Sequence, residues 1–355
     1  MESMVTLKVL QEEFKDKKVF ITGHTGFKGA WFTYLLDYVG AVTFGYSLSP
    51  NTKPSLYSSL IFSNRHSFSY SNINDFEKLR NDIKSFKPDF IFHFAAQSLV
   101  LESYENPQST FITNFSGTLN LLEIIKSIKK ECVSIFITSD KVYQNHENNN
   151  PFKESDPLGG KDPYSASKAA SEILINSYFN SFFKNNDIRV GTVRAGNVIG
   201  GGDWSKYRLI PDIIRSVVES KKLLIRNPNS VRPWQHILDT LSGYLNLAIR
   251  LSKSPNEYNG SWNFGPDTNK NITVKEIIEL SISEGLDVDY SIIKNCNHES
   301  KFLSLNIEKS KNNLKWIPKW DCEYSLKRTI KWYLKYYQGK NTNDLLLDDI
   351  KNFYK

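Results

Sequence analysis

The chain has 355 residues, with 45 Lys and Arg against 38 Asp and Glu and a formal net charge of +7. This length suits a sheet domain with a smaller second lobe, and basic residues scattered among Asn and Ser predict a solvated surface rather than a nucleic-acid partner. Three widely spaced cysteines, Cys132, Cys296 and Cys322, argue against a disulfide framework or a metal site, and no apolar run suits a signal peptide or a membrane span, so we expect a cytoplasmic protein.

A strand, a glycine-rich turn, a helix and a second strand follow one another near the start of the chain. The apolar run 18–21 predicts a buried strand, residues 30–36 continue as a helix, and residues 41–46 predict the second strand. Such a turn lets backbone N–H groups and the helix N-terminus hold the pyrophosphate of a dinucleotide. We therefore predict that a dinucleotide cofactor contacts Gly23, Thr25, Gly26, Phe27, Lys28 and Gly29.

Helices and strands continue to alternate downstream. Residues 75–86 and 107–130 predict helices, and strands are predicted at 89–93, 133–137 and 188–193. This alternation predicts an α/β fold in which a Rossmann-type, doubly wound parallel sheet is covered by helices on both faces. In such sheets ligands bind at the carboxyl ends of the strands.

Polar motifs stand where that edge of the sheet is expected. Thr138-Ser139-Asp140-Lys141 follows one predicted strand, and Ala195-Gly196-Asn197 follows the next. On the following helix Tyr164 and Lys168 are four residues apart and point the same way, so the ammonium favours ionisation of the phenol. A phenolate base beside a dinucleotide predicts the oxidation of an alcohol with a nicotinamide cofactor.

Seven short motifs occur in a fixed order along most of the chain. They are Gly23-His24-Thr25-Gly26-Phe27-Lys28-Gly29, His93-Phe94-Ala95-Ala96-Gln97, Thr138-Ser139-Asp140-Lys141, Asp162-Pro163-Tyr164-Ser165-Ala166-Ser167-Lys168, Arg194-Ala195-Gly196-Asn197-Val198-Ile199-Gly200-Gly201-Gly202-Asp203-Trp204, Val231-Arg232-Pro233-Trp234-Gln235-His236 and Trp262-Asn263-Phe264-Gly265-Pro266. Together they resemble the extended short-chain dehydrogenase/reductases and, within them, the nucleotide-sugar 4,6-dehydratases. The similarity is greatest to the CDP-glucose 4,6-dehydratase branch.

The resemblance implies two lobes. The NAD-binding Rossmann domain would span residues 1–199 and include returning segments at about 233–266. Residues 200–232 and 267–355 would form a smaller, mixed α/β lobe that binds the nucleotide sugar. The substrate would then lie between the lobes, where ligand pockets are common.

The resemblance also implies contacts with both ligands. Further NAD contacts would come from Asn72, Ala95, Ala96, Tyr164 and Lys168. The nucleotide sugar would contact Gln97, Asn197, Arg208 and Arg232. Guanidinium groups suit this role because their fork of donors matches phosphate oxygens and stays charged. Helices 107–130 and 164–184 resemble those that pair two subunits in this family, which implies a homodimer.

The implied reaction begins with an oxidation, because carbon 5 of a hexose is acidic only beside a ketone at carbon 4. Tyr164, with Lys168 beside it, would take the 4-hydroxyl proton while a hydride passes to NAD, and Ser139 would hydrogen-bond the same oxygen. Asp140 would protonate the 6-hydroxyl as it leaves as water. Return of the hydride to carbon 6 regenerates NAD, so the overall reaction is that of a lyase.

Lys141 stands where the related dTDP- and GDP-sugar branches carry Glu, the base for the C5 proton. A neighbouring carboxylate favours the charged form of Lys141. Two roles therefore stay open: Lys141 is the C5 base, or it stabilises the enolate while another group takes the proton. Asp140 also has an alternative role, since Asp often caps a turn after a strand.

The end of the second predicted strand, Gly45-Tyr46-Ser47, has no carboxylate for the adenosine ribose. We therefore predict loose binding of NAD and some tolerance of NADP. Two other functions share this fold. A nucleotide-sugar 4-epimerase or reductase needs Tyr164 and Lys168 but no acid at Asp140, and a non-catalytic NAD-sensing protein usually lacks the Tyr or the Lys.

Overall fold

A parallel β-sheet between two layers of helices forms the centre of the structure. The computed structural model describes residues 5–128, 130–147, 150–184, 188–267, 272–293 and 302–355. Cys132 and Cys322 are free thiols, whereas Cys296 lies outside the described residues. One apolar core lies on each face of the sheet, and the larger core continues into the second lobe.

The strands are numbered in chain order. They are β1 (Lys18–Thr22), β2 (Val42–Ser47), β3 (His66–Tyr70), β4 (Phe90–His93), β5 (Cys132–Ile137), β6 (Ile188–Ala195), β7 (Val198–Ile199), β8 (Leu223–Ile225), β9 (Val231–Arg232), β10 (Gln235–His236), β11 (Gly260–Phe264), β12 (Ile272–Thr273) and β13 (Tyr290–Ile292). The central sheet has the order β11-β6-β5-β4-β1-β2-β3, and all neighbouring strands run parallel. This arrangement confirms the predicted Rossmann-type sheet.

The helices are also numbered in chain order. They are α1 (Leu7–Phe14), α2 (Phe27–Tyr38), α3 (Phe76–Phe86), α4 (Val100–Glu105), α5 (Pro107–Phe111), α6 (Gly117–Lys126), α7 (Pro163–Tyr178), α8 (Leu209–Val218), α9 (Ile237–Lys253), α10 (Pro255–Tyr258), α11 (Val274–Ser283), α12 (Glu308–Leu314), α13 (Cys322–Tyr337) and α14 (Thr342–Phe353). Short 3₁₀ turns span Tyr57–Ser59 and Asp140–Val142, and π-helical turns span Ile112–Ser116 and Phe179–Phe183. Within the described ranges, no helix combines the length and the apolar character needed to cross a membrane.

The burial of the strands explains which ones the sequence reveals. Every residue of β4 and β5 is buried, because helices cover both faces of a parallel sheet, and both strands read as continuous apolar runs. The edge strand β3 has the sequence His-Ser-Phe-Ser-Tyr and is largely exposed. It lacks an apolar run and was not predicted.

The predicted helix at 107–130 is in fact three consecutive segments. Helix α5 passes into the π-helical turn Ile112–Ser116 and then into α6, which ends at Lys126. A π-helical turn changes the direction of the side chains without ending the helix, so the apolar pattern alone does not reveal it.

The second lobe contains short strand pairs, in which β8 pairs with β13 and β9 with β12. The chain returns to the central sheet at α9, which packs on β5 and β6, and at β11, which pairs with β6. The last helices lie on the Rossmann side: α12 packs on β11 and α9, α13 packs near β7 and β10, and the Tyr34 hydroxyl donates to the Asn343 carbonyl in α14 at 3.2 Å. Residues 302–355 thus cover the Rossmann domain, and the assignment of 267–355 to a substrate-binding lobe stays a prediction.

Candidate active site

A cavity of about 1080 Å³ opens at the carboxyl ends of β1, β4, β5 and β6. All residues predicted from the sequence to act in catalysis or to contact NAD or the nucleotide sugar line this cavity. Its wall runs from the glycine-rich turn before α2, past the ends of β5 and β6, to α8, β8 and β9. The strand order brings these segments together, because it reverses between β4 and β1 and leaves a crevice there.

The glycine-rich turn holds its shape through Gly23 and Gly29. Gly23 has φ +74°, and a Cβ atom there would lie 2.6 Å from the Ala95 nitrogen. A Cβ on Gly29 would lie 2.1 Å from the Gly23 carbonyl oxygen. Gly26 differs, since a Cβ there would meet only that oxygen at 3.5 Å. Gly26 is the exposed N-cap residue of α2 and leaves the first N–H groups of the helix without a side-chain acceptor.

The outer end of the turn is tied to the loop after β2. The Thr25 hydroxyl hydrogen-bonds the Ser47 hydroxyl at 2.8 Å and donates to the Leu48 carbonyl at 2.9 Å. The buried Tyr46 hydroxyl donates to the Asn72 carbonyl at 3.0 Å, and the Asn72 side-chain oxygen accepts from the Asn74 backbone at 3.0 Å. The loop after β2 thus offers hydroxyl groups and no carboxylate to a ribose.

Ser139 and Asp140 form the turn that follows β5. The Ser139 hydroxyl accepts from the Lys141 backbone N–H at 3.2 Å and donates to Asp140 Oδ1 at 3.0 Å. Asp140 is buried, and Oδ2 lies close to Gly196 and has no hydrogen-bond partner among the described residues. Burial raises the pKa of Asp140, although the charges of Lys141 and Arg232 oppose the rise. The raised pKa favours a neutral, proton-bearing carboxyl.

Tyr164 lies in the first turn of α7, after the N-cap residue Asp162. The Tyr164 backbone N–H donates to the Ser103 hydroxyl at 3.1 Å, which joins α7 to α4. Burial raises the pKa of the phenol to about 12, while a hydrogen bond with Ser139 and the charge of Arg208 lower it. The turn after β5 therefore acts directly on the candidate base.

Lys168 lies one turn further along α7 and is buried. Its ammonium donates to the Ile137 carbonyl at the end of β5 at 3.0 Å. Burial and the charge of Lys28 lower the pKa of Lys168 to about 8, and Glu172 opposes this fall. Ser139 and Arg208 lower the pKa of Tyr164, and the role of Lys168 in favouring the phenolate stays a prediction.

The predicted phosphate-binding arginines reach the cavity from the second lobe. Arg208 is the N-cap residue of α8 and donates to Asp203 Oδ2 and to the Ser98 hydroxyl, each at 2.8 Å. Burial lowers the pKa of Arg208, but Asp203 more than compensates, so the net shift is upward. Arg232 is also buried, in β9, and its guanidinium donates to the Val231 carbonyl at 2.8 Å.

Gln97 and Asn197, the two amide residues predicted to contact the substrate, differ in their hydrogen bonds within the protein. Gln97 Nε2 donates to the Thr110 hydroxyl at 2.9 Å and to the Leu99 carbonyl at 3.1 Å, so this side chain shapes the wall of the cavity. Asn197 follows β6, and its backbone carbonyl accepts from the Gln235 N–H at 3.0 Å. A substrate contact by Gln97 would have to share these internal hydrogen bonds.

Comparisons with known proteins identify the family. A family model described as GDP-mannose 4,6 dehydratase matches residues 20–329. The chain belongs to this family. The CDP-glucose 4,6-dehydratase of Salmonella typhimurium is 42% identical over 335 residues, which are 92% of this chain and 93% of that protein. These matches confirm the family that the seven motifs predicted.

Solved structures agree with the fold of this dehydratase family member. The dTDP-glucose 4,6-dehydratase of Bacillus anthracis, solved in complex with NAD, is 26% identical with a TM-score of 0.76, over 91% of this chain and 98% of that one. The UDP-glucose 4-epimerase of Thermotoga maritima is 21% identical with a TM-score of 0.78, over 90% and 99%. The epimerase likeness shows the fold alone.

The sequence analysis missed Asn114, which supports the site from the π-helical turn Ile112–Ser116. Its side-chain oxygen accepts from the Gln97 N–H at 2.9 Å, and its side-chain nitrogen donates to the Gln97 carbonyl at 3.0 Å and to the Ser167 hydroxyl at 2.9 Å. Asn114 thus joins the loop after β4 to α7 beside Lys168. An Asn among several other polar residues of this segment gives no sequence signal for the role.

Two buried histidines near the turn are structural in this family member. His93 Nδ1 bonds the Thr22 hydroxyl at 2.8 Å, and burial lowers the pKa of its ring to about 3. His24 packs edge-on against Tyr57, with ring centroids 4.7 Å apart, and burial lowers its pKa to about 3 as well. Both rings are therefore uncharged near neutral pH. In the part of the chain that the structure describes, no group of three or more His, Cys, Asp or Glu could hold a metal ion.

Proposed function

We propose that this protein is a CDP-glucose 4,6-dehydratase, which converts CDP-D-glucose to CDP-4-keto-6-deoxy-D-glucose and water with NAD. The relative that is 42% identical over nearly the whole chain supports this substrate. The observation that carries dehydration, rather than epimerisation, is the environment of Asp140. A buried carboxyl with a raised pKa and an unpartnered oxygen is a proton donor, and an epimerase needs none there.

The glycine-rich turn fits the cofactor. Gly26 leaves the N-terminus of α2 open where a side chain would stand, so the free N–H groups can receive the pyrophosphate. NAD, when bound, accepts a hydride from carbon 4, later returns it to carbon 6, and in its oxidised form adds positive charge to the cavity. Thr25 and Asn72 would contact the adenosine of NAD, and the small side chains of Ala95 and Ala96 would leave room for the cofactor.

The first chemical task of the protein is to remove the 4-hydroxyl proton. We assign this task to Tyr164, whose phenol is hydrogen-bonded to Ser139. Ser139 would turn its hydroxyl from Asp140 to the same sugar oxygen. The Lys168 ammonium, which is mainly protonated at neutral pH, would keep its hydrogen bond to the Ile137 carbonyl and would also contact NAD. Arg208 adds a positive charge that favours the phenolate.

The second task is the elimination of water across carbons 5 and 6. The ketone at carbon 4 acidifies the C5 proton, and Asp140 would give its proton to the leaving 6-hydroxyl. Lys141, next to Asp140 in the same turn, would either take the C5 proton or stabilise the enolate while another group takes that proton. Asp140 ends this step ionised, with the charges of Lys141 and Arg232 close by to stabilise the carboxylate.

The nucleotide end of the substrate would lie against the second lobe. Arg208 and Arg232 supply guanidinium groups for the pyrophosphate, and α8, like α2, begins without a side-chain cap. Two uncapped helix N-termini thus line one cavity. NAD and the nucleotide sugar each carry a pyrophosphate, so each of these helix N-termini would face one of the two pyrophosphates.

We also propose a homodimer. Helix α5, the π-helical turns and α7 carry exposed apolar side chains, of which Ile112 is 44% exposed and Ile173 is 60% exposed. Exposed apolar patches of this kind mark sites of protein association. A cytoplasmic location is a further proposal, supported by the free thiols of Cys132 and Cys322.

The test is an assay of purified protein with NAD and CDP-D-glucose deuterated at carbon 4. A 4-keto-6-deoxy product, seen by its base-induced ultraviolet absorbance, should carry deuterium in its methyl group, with no net formation of NADH. Parallel reactions with dTDP-, GDP- and UDP-glucose test the nucleotide. Turnover of one of these in place of CDP-glucose would overturn the substrate, and loss of deuterium to solvent would overturn the internal return of hydride.

A further inference from the structure

Glu172 is a buried carboxylate that the chemistry proposed above does not use. It lies on α7, one turn beyond Lys168 and two turns beyond Tyr164, and it is 3% exposed. A charged side chain is rarely buried to this degree unless it is paired, because burial removes its hydration. Because Glu172 lies on the same helix as the candidate base Tyr164, the partners of its carboxylate affect how that helix is placed.

The partners of Glu172 come from three strands of the sheet. Oε1 accepts from the Thr138 hydroxyl at 2.6 Å and from Arg194 Nε at 2.8 Å. Oε2 accepts from Arg194 Nη2 and from the Ser261 hydroxyl at 3.2 Å. Thr138 directly follows β5, Arg194 lies in β6 and Ser261 in β11. One side chain of α7 is thus bonded to three neighbouring strands.

The hydrogen bond to Thr138 connects Glu172 to the candidate active site. Thr138 precedes Ser139 and Asp140, and its backbone N–H donates to the Val193 carbonyl in β6 at 2.9 Å. The backbone of Thr138 is therefore fixed to the sheet, while its hydroxyl is fixed to the helix that carries Tyr164. This hydrogen bond joins α7 to the residue before the Ser139–Asp140 turn, beside the bond from Lys168 to the Ile137 carbonyl and the contact of Ser139 with Tyr164.

We propose that Glu172 is a positioning residue, which through Thr138 sets the placement of the Ser139–Asp140 turn relative to Tyr164. The inference rests on the proposed function, in which Tyr164 and Ser139 act on the same sugar oxygen. Two groups that must meet one oxygen tolerate little displacement, since an error of about 1 Å in such a site costs about 10²-fold in rate. A buried, charge-assisted hydrogen bond is a stiff way to hold that distance.

Glu172 also acts on Lys168 through its charge. The charged or titratable groups that face Lys168 are Lys28 from α2, His93 from β4 and Glu172 from its own helix. Lys28 disfavours the ammonium and Glu172 favours it, while His93 is neutral. The same carboxylate therefore helps to keep Lys168 protonated.

Removal of Glu172 is a poor first test, because it would leave Arg194 as a buried charge without its main partner. Thr138 offers a cleaner one. Thr138→Val removes only the hydroxyl and keeps the shape of the side chain, whereas Thr138→Ser keeps the hydroxyl. Thr329→Val is the matched control: Thr329 is also buried and its hydroxyl donates to the Ser325 carbonyl at 2.8 Å, but it lies on α13, away from the cavity.

We expect Thr138→Val to lower kcat by about 10²-fold with little change in KM. Thr138→Ser should restore most of kcat, and Thr329→Val should retain the wild-type kcat. Thermal unfolding of each variant, with kcat measured at a temperature at which all of them are folded, separates lost stability from lost rate. A Thr138→Val enzyme with wild-type kcat would overturn the proposal.

A second measurement needs no turnover and stays informative if the proposed substrate is wrong. In protein labelled with ¹³Cζ-tyrosine, the Tyr164 resonance is assigned by its loss in Tyr164→Phe. It should shift in Thr138→Val and keep its position in Thr138→Ser and Thr329→Val. If wild-type protein turns over no nucleotide hexose, the proposed function is wrong. The Tyr164 resonance then still tests whether Glu172 and Thr138 position Tyr164. An unmoved resonance in Thr138→Val would reject this positioning role.

Discussion

Lys168 shows how a single side chain of the candidate site can oppose folding. Burial and the charge of Lys28 lower its pKa from 10.5 to about 8. Between these two pH values the unfolded chain holds a proton that the folded protein has lost, so stability rises with pH across this window. Below about pH 8 the folded protein must keep a buried ammonium, which its bond to the Ile137 carbonyl only partly compensates.

Lys168→Met should therefore abolish activity and change how stability depends on pH. From pH 7 to pH 10, the free energy of unfolding of the wild type should rise relative to that of the variant by about 2 kcal/mol, because only the wild type loses the buried charge. Urea denaturation of both proteins at the two pH values measures this difference. Lys28 titrates in the same pH range, and its repulsion of Lys168 is part of the difference measured. Parallel curves would show that folding does not lower the pKa of Lys168.

Lys141 and Asp140 should act after the oxidation. Lys141→Ala should still form reduced cofactor in a single turnover, while dehydration slows by roughly 10²–10⁴-fold, the range for loss of an acid or base. Asp140→Asn should behave in the same way, and Tyr164→Phe should block both steps. Stopped-flow absorbance at the NADH band separates these cases. A Lys141→Ala enzyme that binds substrate but forms no reduced cofactor would assign Lys141 to the oxidation or to the fold.

The residues at the end of β2 predict weak retention of cofactor. Tyr46 directs its hydroxyl to the Asn72 carbonyl, and Ser47 is bonded to Thr25, so a ribose meets hydroxyl groups rather than a carboxylate. Purified protein should carry little NAD and should need added NAD for activity. Extraction with acid and quantification of the nucleotide tests this, and near-stoichiometric NAD in the purified sample would contradict it.

At the scale of the element, the glycines at the start of α2 have different roles. We expect Gly29 to be required for folding and Gly26 to be required for binding of NAD. Gly26→Ala should fold normally, because its Cβ meets only the Gly23 carbonyl at 3.5 Å, yet it should weaken NAD binding by crowding the open N-terminus. Gly29→Ala is the contrast, since its Cβ would lie 2.1 Å from the same oxygen and should destabilise the protein. Calorimetric titration with NAD and thermal unfolding distinguish the two effects, and unchanged NAD affinity in Gly26→Ala would place the pyrophosphate elsewhere.

Strands were predictable where helices cover both faces of the sheet. Strands β1, β4 and β5 are mainly apolar for that reason, whereas β6 also carries Arg189 and Arg194. The edge strand β3 and the π-helical turns escaped prediction for a different reason. Their conformations follow from pairing with β2 and from tertiary bonds such as those of Asn114, which no local pattern records.

At the scale of the whole molecule, the exposed apolar side chains of α5 and α7 predict self-association. Ile173→Asp should convert a dimer to a monomer, because it places a charge in the centre of the proposed interface. Ile61→Asp is the matched control, since Ile61 is 73% exposed but lies outside these helices. Light scattering after size-exclusion chromatography measures the masses, and a dimer that survives Ile173→Asp would place the interface on another face.

The sequence by itself determined the fold class, the family and the residue types of the site. These depend on local features, since a glycine-rich turn, a Tyr and Lys on one helix face and apolar runs are each read within a short stretch of chain. Only the tertiary structure decided how these groups act. Burial raises the pKa of Asp140, Arg208 and Ser139 lower the pKa of Tyr164, and Glu172 joins α7 to three strands. These properties arise from desolvation and from bonds between residues far apart in the chain, and spacing in the sequence carries no record of either.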